Sequence, residues 1–255
     1  MHGPGGIPVS DERQPQKEIQ RSICASGYRV PISVRQGIFG ANLSPVTRAW
    51  QASDFVNGAL PLSLSGVAVQ IGGLPAAVSY VSPGQINAQV PDGVGPGWVT
   101  VQVITPAGTS SLTQVNAGNV APSFFTFSSG SATYVAATLA DGTIVGKSGM
   151  LGNGVAMRPA KPGDVISLWG TGFGPTTPSV APGMLFSGAA PLVAADQLTI
   201  LAGTAPVAVQ FAGLSEAGLY QFNVTVPALP DGDQPILAQM SGSSTQQQVY
   251  LTIRN

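Results

Sequence analysis

Asp54 and Glu216 are the carboxylates of this chain that local turn chemistry explains least. A pair of carboxylates is what hydrolysis of a glycosidic bond requires, one as acid and one as base or nucleophile. If the chain is an enzyme, these two are the residues to test first. Asp92, Asp141 and Asp231 have a simpler reading, because each precedes a glycine in a turn where the side chain bonds its own backbone. Asp231-Gly232-Asp233 also sets two carboxylates in one loop, a weak pattern for Ca²⁺. Without further acidic neighbours, an exposed turn explains that loop better.

Histidine excludes more chemistry than the carboxylates suggest. His2 is the only one, and it lies in a polar N-terminal stretch. Ser-His-Asp and Cys-His mechanisms need a base held against the nucleophile. Neither is available inside a folded domain here. Zinc loses its usual ligands as well, since His2 and Cys24 are the whole imidazole and thiol inventory. Gly170-Thr171-Gly172-Phe173-Gly174 looks like a phosphate loop. Such a loop must open a helix, and Pro175 and Pro178 follow instead. A strand ending in a glycine-rich bend fits better. The sequence implies no cofactor and leans away from catalysis.

Aromatic rings are the stronger binding candidates. Trp98 shares strand parity with Thr100 and Gln102, opposite Val99, Val101 and Val103. That parity puts Trp98 and Gln102 on a solvated face, where a ring beside amides and hydroxyls can stack on and hydrogen-bond a sugar. The alternative for Trp98 is packing on a neighbouring domain. Trp50, in Arg48-Ala49-Trp50-Gln51, is a further ligand candidate, but plugging the open end of a sandwich is favoured for it. Tyr250 has outward parity on the last strand. Trp169 opens a second core and is expected to pack between domains.

Strands must position these residues. Val67-Ala68-Val69-Gln70-Ile71 and Val99-Thr100-Val101-Gln102-Val103 alternate with period two, as a half-buried sheet requires. Turn signals separate such runs, among them Gly72-Gly73, Pro91-Asp92-Gly93 and Pro230-Asp231-Gly232. The segment 134–145 reads as a hairpin turning at Asp141-Gly142. Charged residues make up 8% of the 255, and the formal net charge is −1. No basic field is available for phosphates, so nucleic acid is not an expected partner. No apolar run reaches the roughly 20 residues of a membrane span.

The chain also repeats itself. Gln85-Ile86-Asn87-Ala88-Gln89-Val90-Pro91 returns as Gln221-Phe222-Asn223-Val224-Thr225-Val226-Pro227, and Ile32–Gly40 returns as Ile166–Gly174. Two copies of one domain follow. Gly170–Pro178, Ala189-Ala190-Pro191-Leu192, Phe211-Ala212-Gly213-Leu214 and Gly218–Pro227 resemble the Ig-like Solibacter-type C-terminal domain of large secreted acidobacterial proteins. The first copy, with Ile38–Pro45 and Tyr80–Asn87, is similar to the related module that precedes it. Both resemble TIG/IPT-type immunoglobulin-like domains. The resemblance covers about residues 38–255. It implies an extracellular β-sandwich and no established activity, so it carries over no catalytic residue. Arg35-Gln36 stand where the second copy has Trp169-Gly170, which predicts a weakened first strand.

The expectation is therefore an all-β chain of two tandem immunoglobulin-like β-sandwiches, the second preceded by a β-hairpin. Residues 1–24 form a disordered lead-in, 25–117 the first sandwich, and 118–255 the hairpin connection and second sandwich. The expected function is a non-catalytic extracellular or cell-surface module for adhesion, spacing or binding. Its partner would be a polysaccharide or another extracellular protein. The export signal is expected upstream or lost, because residues 1–23 lack a basic start and an apolar core. A polysaccharide hydrolase of unrecognised type, or a structural spacer, is the alternative.

Overall fold

Alternating apolar residues build two stacked-sheet cores with no buried member in common. The computed structural model describes residues 29–31 and 35–255, with side chains from residue 37 onward. The expected lead-in, His2 and Cys24 lie outside the described residues. Among the described residues, the regular elements are strands and two single-turn 3₁₀ segments, joined by turns.

The first seven principal strands are β1 (Arg29–Pro31), β2 (Arg35–Phe39), β3 (Val67–Ile71), β4 (Leu74–Val81), β5 (Gln85–Gln89), β6 (Gly97–Thr105) and β7 (Thr113–Gly118). They hydrogen-bond in the order β1-β7-β6-β3-β4-β5-β2. Strand β4 serves two layers: Leu74 and Ala76 pair with β3, while Ala77 to Val81 pair with β5. The ladder thus folds over on itself and encloses Val67, Val69, Ile71, Val78, Ile86, Val101 and Val103. Strand β2 pairs with β5 from Arg35 to Phe39 without a break. Ladder bonds form whatever side chains stand there, so the pairing leaves the expected weakness at Arg35-Gln36 to be read by hydrogen exchange.

The second set comprises β8 (Ser123–Phe124), β9 (Thr126–Ser129), β10 (Ala132–Val135), β11 (Ala137–Leu139), β12 (Val165–Thr171), β13 (Ser187–Pro191), β14 (Leu198–Ala202), β15 (Ala208–Glu216), β16 (Leu219–Thr225), β17 (Gly232–Met240) and β18 (Val249–Ile253). One sheet runs β11-β12-β16-β15-β13, with β8 also on β12. The other runs β9-β10-β18-β17-β14. The Asp141-Gly142 hairpin closes as expected, with Gly142 N–H donating to Leu139 O at 2.9 Å. Its strands are built into the sandwich: the chain changes sheet at Ala136, so β10 lies in one layer and β11 in the other.

The two copies agree in chemistry as well as in pattern. Gln85 Nε2 donates to Asn87 Oδ1 at 2.7 Å, and Gln221 Nε2 to Asn223 Oδ1 at 2.8 Å. A buried hydroxyl completes the matching hairpin in each. Ser110 Oγ accepts from Val103 N–H at 3.0 Å, and Thr245 Oγ1 from Ala238 N–H at 2.9 Å. Each supplies the acceptor that a ladder donor would otherwise lack.

At Gly213 two backbones pass close to one another. A Cβ there would lie 2.3 Å from Ala190 O and 2.8 Å from Pro191 Cα. Backbone on both sides leaves no flexible atom to yield. Gly213→Ala is expected to part β13 from β15 and cost about 1–3 kcal/mol. Chemical denaturation checks this, and an unchanged midpoint would contradict it.

The two sandwiches are fastened together rather than simply strung. Leu60 N–H donates to Gly183 O, and Leu185 N–H to Gly58 O, each at 2.8 Å. Leu60, Ala77 and Ala217 form a small buried cluster at this junction, with Trp50, Phe55 and Phe186 packed against it.

Candidate functional site

The outer face of the first sandwich is open and polar. Residues directly opposite in an antiparallel ladder share a face. Trp98 stands opposite Asn116, Thr100 opposite Gln114, and Gln102 opposite Gln70. None of these six side chains carries a charge. Trp98 is 72% exposed, at the start of β6, where Gly97 precedes it. The face extends about 13 Å from Trp98 to Gln102 at the usual rise along a strand. Gln102 is oriented by donation from Nε2 to Ser110 O at 3.0 Å. Beside Trp98 the face runs into a cleft of about 420 Å³ between the sandwiches, lined by Gly97, Asn116, Asn119, Ser241 and Ser243.

The corresponding face of the second sandwich is built differently. Asp233 opposite Thr252 and Pro235 opposite Tyr250 take the places of Trp98–Asn116 and Thr100–Gln114. Phe127, Tyr134 and Tyr250 continue that face across three strands in register. The segment after β11 packs against this aromatic row. A Cβ at Gly146 would lie 2.7 Å from Met157 Cε and 3.6 Å from Phe127 Cζ. Lys147 Nζ donates to Asp233 Oδ2 at 2.6 Å and sits 6.0 Å from the Tyr134 ring centroid. Tyr134 is consequently only 5% exposed, although its parity points away from the core. One copy offers its outer sheet to solvent; the other uses part of its own as a second packing layer.

The carboxylate candidates occupy settled positions. Arg48 Nη2 donates to both oxygens of Asp54, and Gln51 N–H donates to Asp54 Oδ2 at 2.7 Å. The Gln51 amide first, and the Arg48 guanidinium next, hold the Asp54 carboxyl below the usual carboxylate range. A general acid needs the opposite shift. Glu216 is exposed at the end of β15. Phe55 beside Asp54 and Ala217 beside Glu216 belong to the same junction cluster, so the two carboxylates flank one region. Asp231 accepts from Asn255 N–H and Nδ2 at 2.7 Å each. Asp233 accepts from Lys147, Tyr134 and Thr252. Burial opposes ionisation of Asp233, but these three donors outweigh it and keep the carboxyl low. The two loop carboxylates therefore face different donors. Among the described residues, no three His, Cys, Asp or Glu side chains gather as metal ligands do.

Trp50 is half-buried and meets Phe55 edge-on at 5.5 Å, between the first core and the junction. Trp169 stands outside the second core on the outer face of β12, and its indole N–H donates to Thr138 Oγ1 at 3.2 Å. Its parity is opposite to that of the buried Ile166 and Leu168, so it opens no core.

Acid should loosen both sandwiches. Asp164 is held low chiefly by its bond from Arg158 Nη1, at 2.7 Å, with the Lys161 amide contributing. A depressed carboxyl stabilises the fold above its unfolded pKa near 3.9, and that contribution is lost as pH falls through the still lower folded value. Thermal melting is expected to be level from pH 7 to about 5 and to drop steeply toward pH 3. Asp164→Asn should lower the pH 7 value and shallow that drop. An unaltered profile would contradict it.

Residues 38–134 match the IPT/TIG domain family. That match supports an immunoglobulin-like module in the first copy. The comparison with curated proteins returned no match. Among solved structures, the chain is similar to the Bacteroides ovatus mixed-linkage glucan utilization locus SGBP-B in complex with mixed-linkage heptasaccharide. Identity there is 13% over 99% of this chain and 46% of that one, with a TM-score of 0.33. It is also similar to SGBP-B from a complex xyloglucan utilization locus in Bacteroides uniformis, at 14% identity, 89% and 48% coverage, and a TM-score of 0.27. A third is the surface glycan-binding protein PbSGBP-B from Prevotella bryantii, at 12% identity, 97% and 42% coverage, and a TM-score of 0.26. This chain spans less than half the length of each. Among the described residues, no helix is long and apolar enough to cross a membrane.

Proposed function

We propose that the chain is a non-catalytic pair of immunoglobulin-like modules, residues 25–117 and 118–255, that binds a neutral carbohydrate through the outer face of the first. The carrying observation is the 72% exposed Trp98 at the head of an uncharged row of amides and hydroxyls. Its six-membered ring offers a sugar an apolar surface to stack on, and Thr100, Gln102, Gln114 and Asn116 offer donors and acceptors. A hydroxyl-rich neutral ligand needs both and needs no counter-charge. The adjoining cleft, with Asn119, Ser241 and Ser243, extends the same chemistry toward the second module. In this reading Trp50 wedges the junction between the two modules. The module acts at the cell surface or outside it, where such ligands occur, and uses no cofactor.

Affinity electrophoresis tests the reading. Gels cast with β-glucan, xylan, galactomannan or starch should retard the protein on at least one neutral polymer. Equal mobility in all of them would overturn it. Release of reducing sugar that vanishes in Asp54→Ala or Glu216→Ala would replace it with the hydrolase.

A further inference from the structure

A second cleft, of about 500 Å³, opens on the second sandwich and is lined by Ser131, Thr133, Asp233, Gln247, Gln248 and Tyr250. It lies at the end of the aromatic row that the Lys147 segment leaves accessible. Tyr250 is half-buried there, tilted against Tyr134 at 6.5 Å between ring centroids. The Asp233 carboxylate on its wall is already bonded by Lys147, Tyr134 and Thr252, so its charge is compensated from within the protein.

The rim is held more firmly than a connecting turn requires. Thr245 is anchored to Ala238 through both backbone and hydroxyl. Gln246 is fixed to β8: its Oε1 accepts from Phe124 N–H at 3.0 Å, and its Nε2 donates to Phe124 O at 2.6 Å. The chain then projects Gln247 and Gln248 into solvent. Gln248 has a left-handed backbone, φ +60. The other non-glycine residues with positive φ are explained locally. Asn57, Ser65 and Ser241 each precede a glycine that also has positive φ, the two-residue hairpin pattern, and Asn42 is an asparagine. Gln248 has neither excuse. Strain of this kind persists where surrounding anchors impose it, and it marks sites that present a side chain in a set direction.

We infer that this cleft is a second glycan-binding site, in which Gln247 and Gln248 hydrogen-bond a neutral sugar stacked against Tyr250. It rests on the reading of the chain as a carbohydrate binder but on none of the residues of the Trp98 face. Two sites on one chain bind a polymer more tightly than either alone, provided the polymer spans both.

The test uses the full chain in the same polysaccharide gels. Trp98→Ala should keep a weak retardation that the added pair Gln247→Ala and Gln248→Ala abolishes. Gln248→Gly should melt no lower than wild type, because glycine accepts positive φ, yet should bind about tenfold more weakly in the Trp98→Ala background. No retardation of Trp98→Ala would overturn the second site and leave the first standing. Loss of all retardation in the glutamine pair alone, with Trp98→Ala unaffected, would do the reverse. Wild-type protein that is never retarded would remove both.

Discussion

Trp98→Ala is expected to weaken retention on a neutral polysaccharide roughly 30-fold, corresponding to about 2 kcal/mol, while leaving the melting temperature unchanged. The two halves of that result have separate causes. Trp98 is 72% exposed, so truncating it opens no cavity and removes no core contact. Val99, Val101 and Val103 on the opposite parity hold β6 in place without it. The loss in binding follows because no other described ring on this face can take over the stacking surface. Trp98→Phe should keep much of the affinity; Trp98→Lys, which adds a charge to a neutral face, should keep no more than Trp98→Ala. Parallel thermal melts separate a binding loss from unfolding.

Phe173→Ala should have the largest effect on the fold, about 3–5 kcal/mol. Phe173 is fully buried and meets Phe222 at 4.4 Å, Tyr220 at 5.8 Å and Phe124 at 6.0 Å between ring centroids. Gly172 and Gly174, both with positive φ, force the backbone bend that turns the ring inward. Tyr220 stiffens the bend by donating its hydroxyl to Gly174 O. Alanine would leave an aromatic-lined void that this bend cannot close. A loss of that size is a large share of a domain's stability. The first core contains no residue of this cluster, so its unfolding should stay near the wild-type midpoint. Denaturation followed by near-ultraviolet circular dichroism should therefore separate into two transitions. One coincident, unshifted transition would contradict the assignment.

Period-two alternation made the strand faces legible. Val67, Val69 and Ile71 are buried, as are Phe222, Val224 and Val226, because one solvated face leaves an alternating strand no other choice. Trp98 emerges on the outer face for the same reason. Alternation says which way a side chain points and nothing about what lies over it. Tyr134 points outward yet is buried, since a glycine-rich segment with no period of its own packs on it. The Arg48–Asp54 pair was equally hidden, because a 3₁₀ turn brings together side chains six positions apart. The two hydrogen bonds between Gly58–Leu60 and Gly183–Leu185 join backbone atoms and leave no pattern in residue type. Ser110 and Thr245 occupy matching places in the two copies. Their role as strand acceptors appears only when the hairpins are superposed in register.

The unequal outer faces are the reason the proposed binding site is put on the first copy. Exposed Trp98 and its uncharged neighbours belong to the copy whose face is bare. Hydrogen exchange with and without a retained neutral oligosaccharide tests that location most directly. The account expects new protection in 97–105 and 113–118, centred on Trp98 and Asn116, with a smaller footprint at 246–250. Protection confined to other surfaces, or none while the ligand is bound, would contradict it.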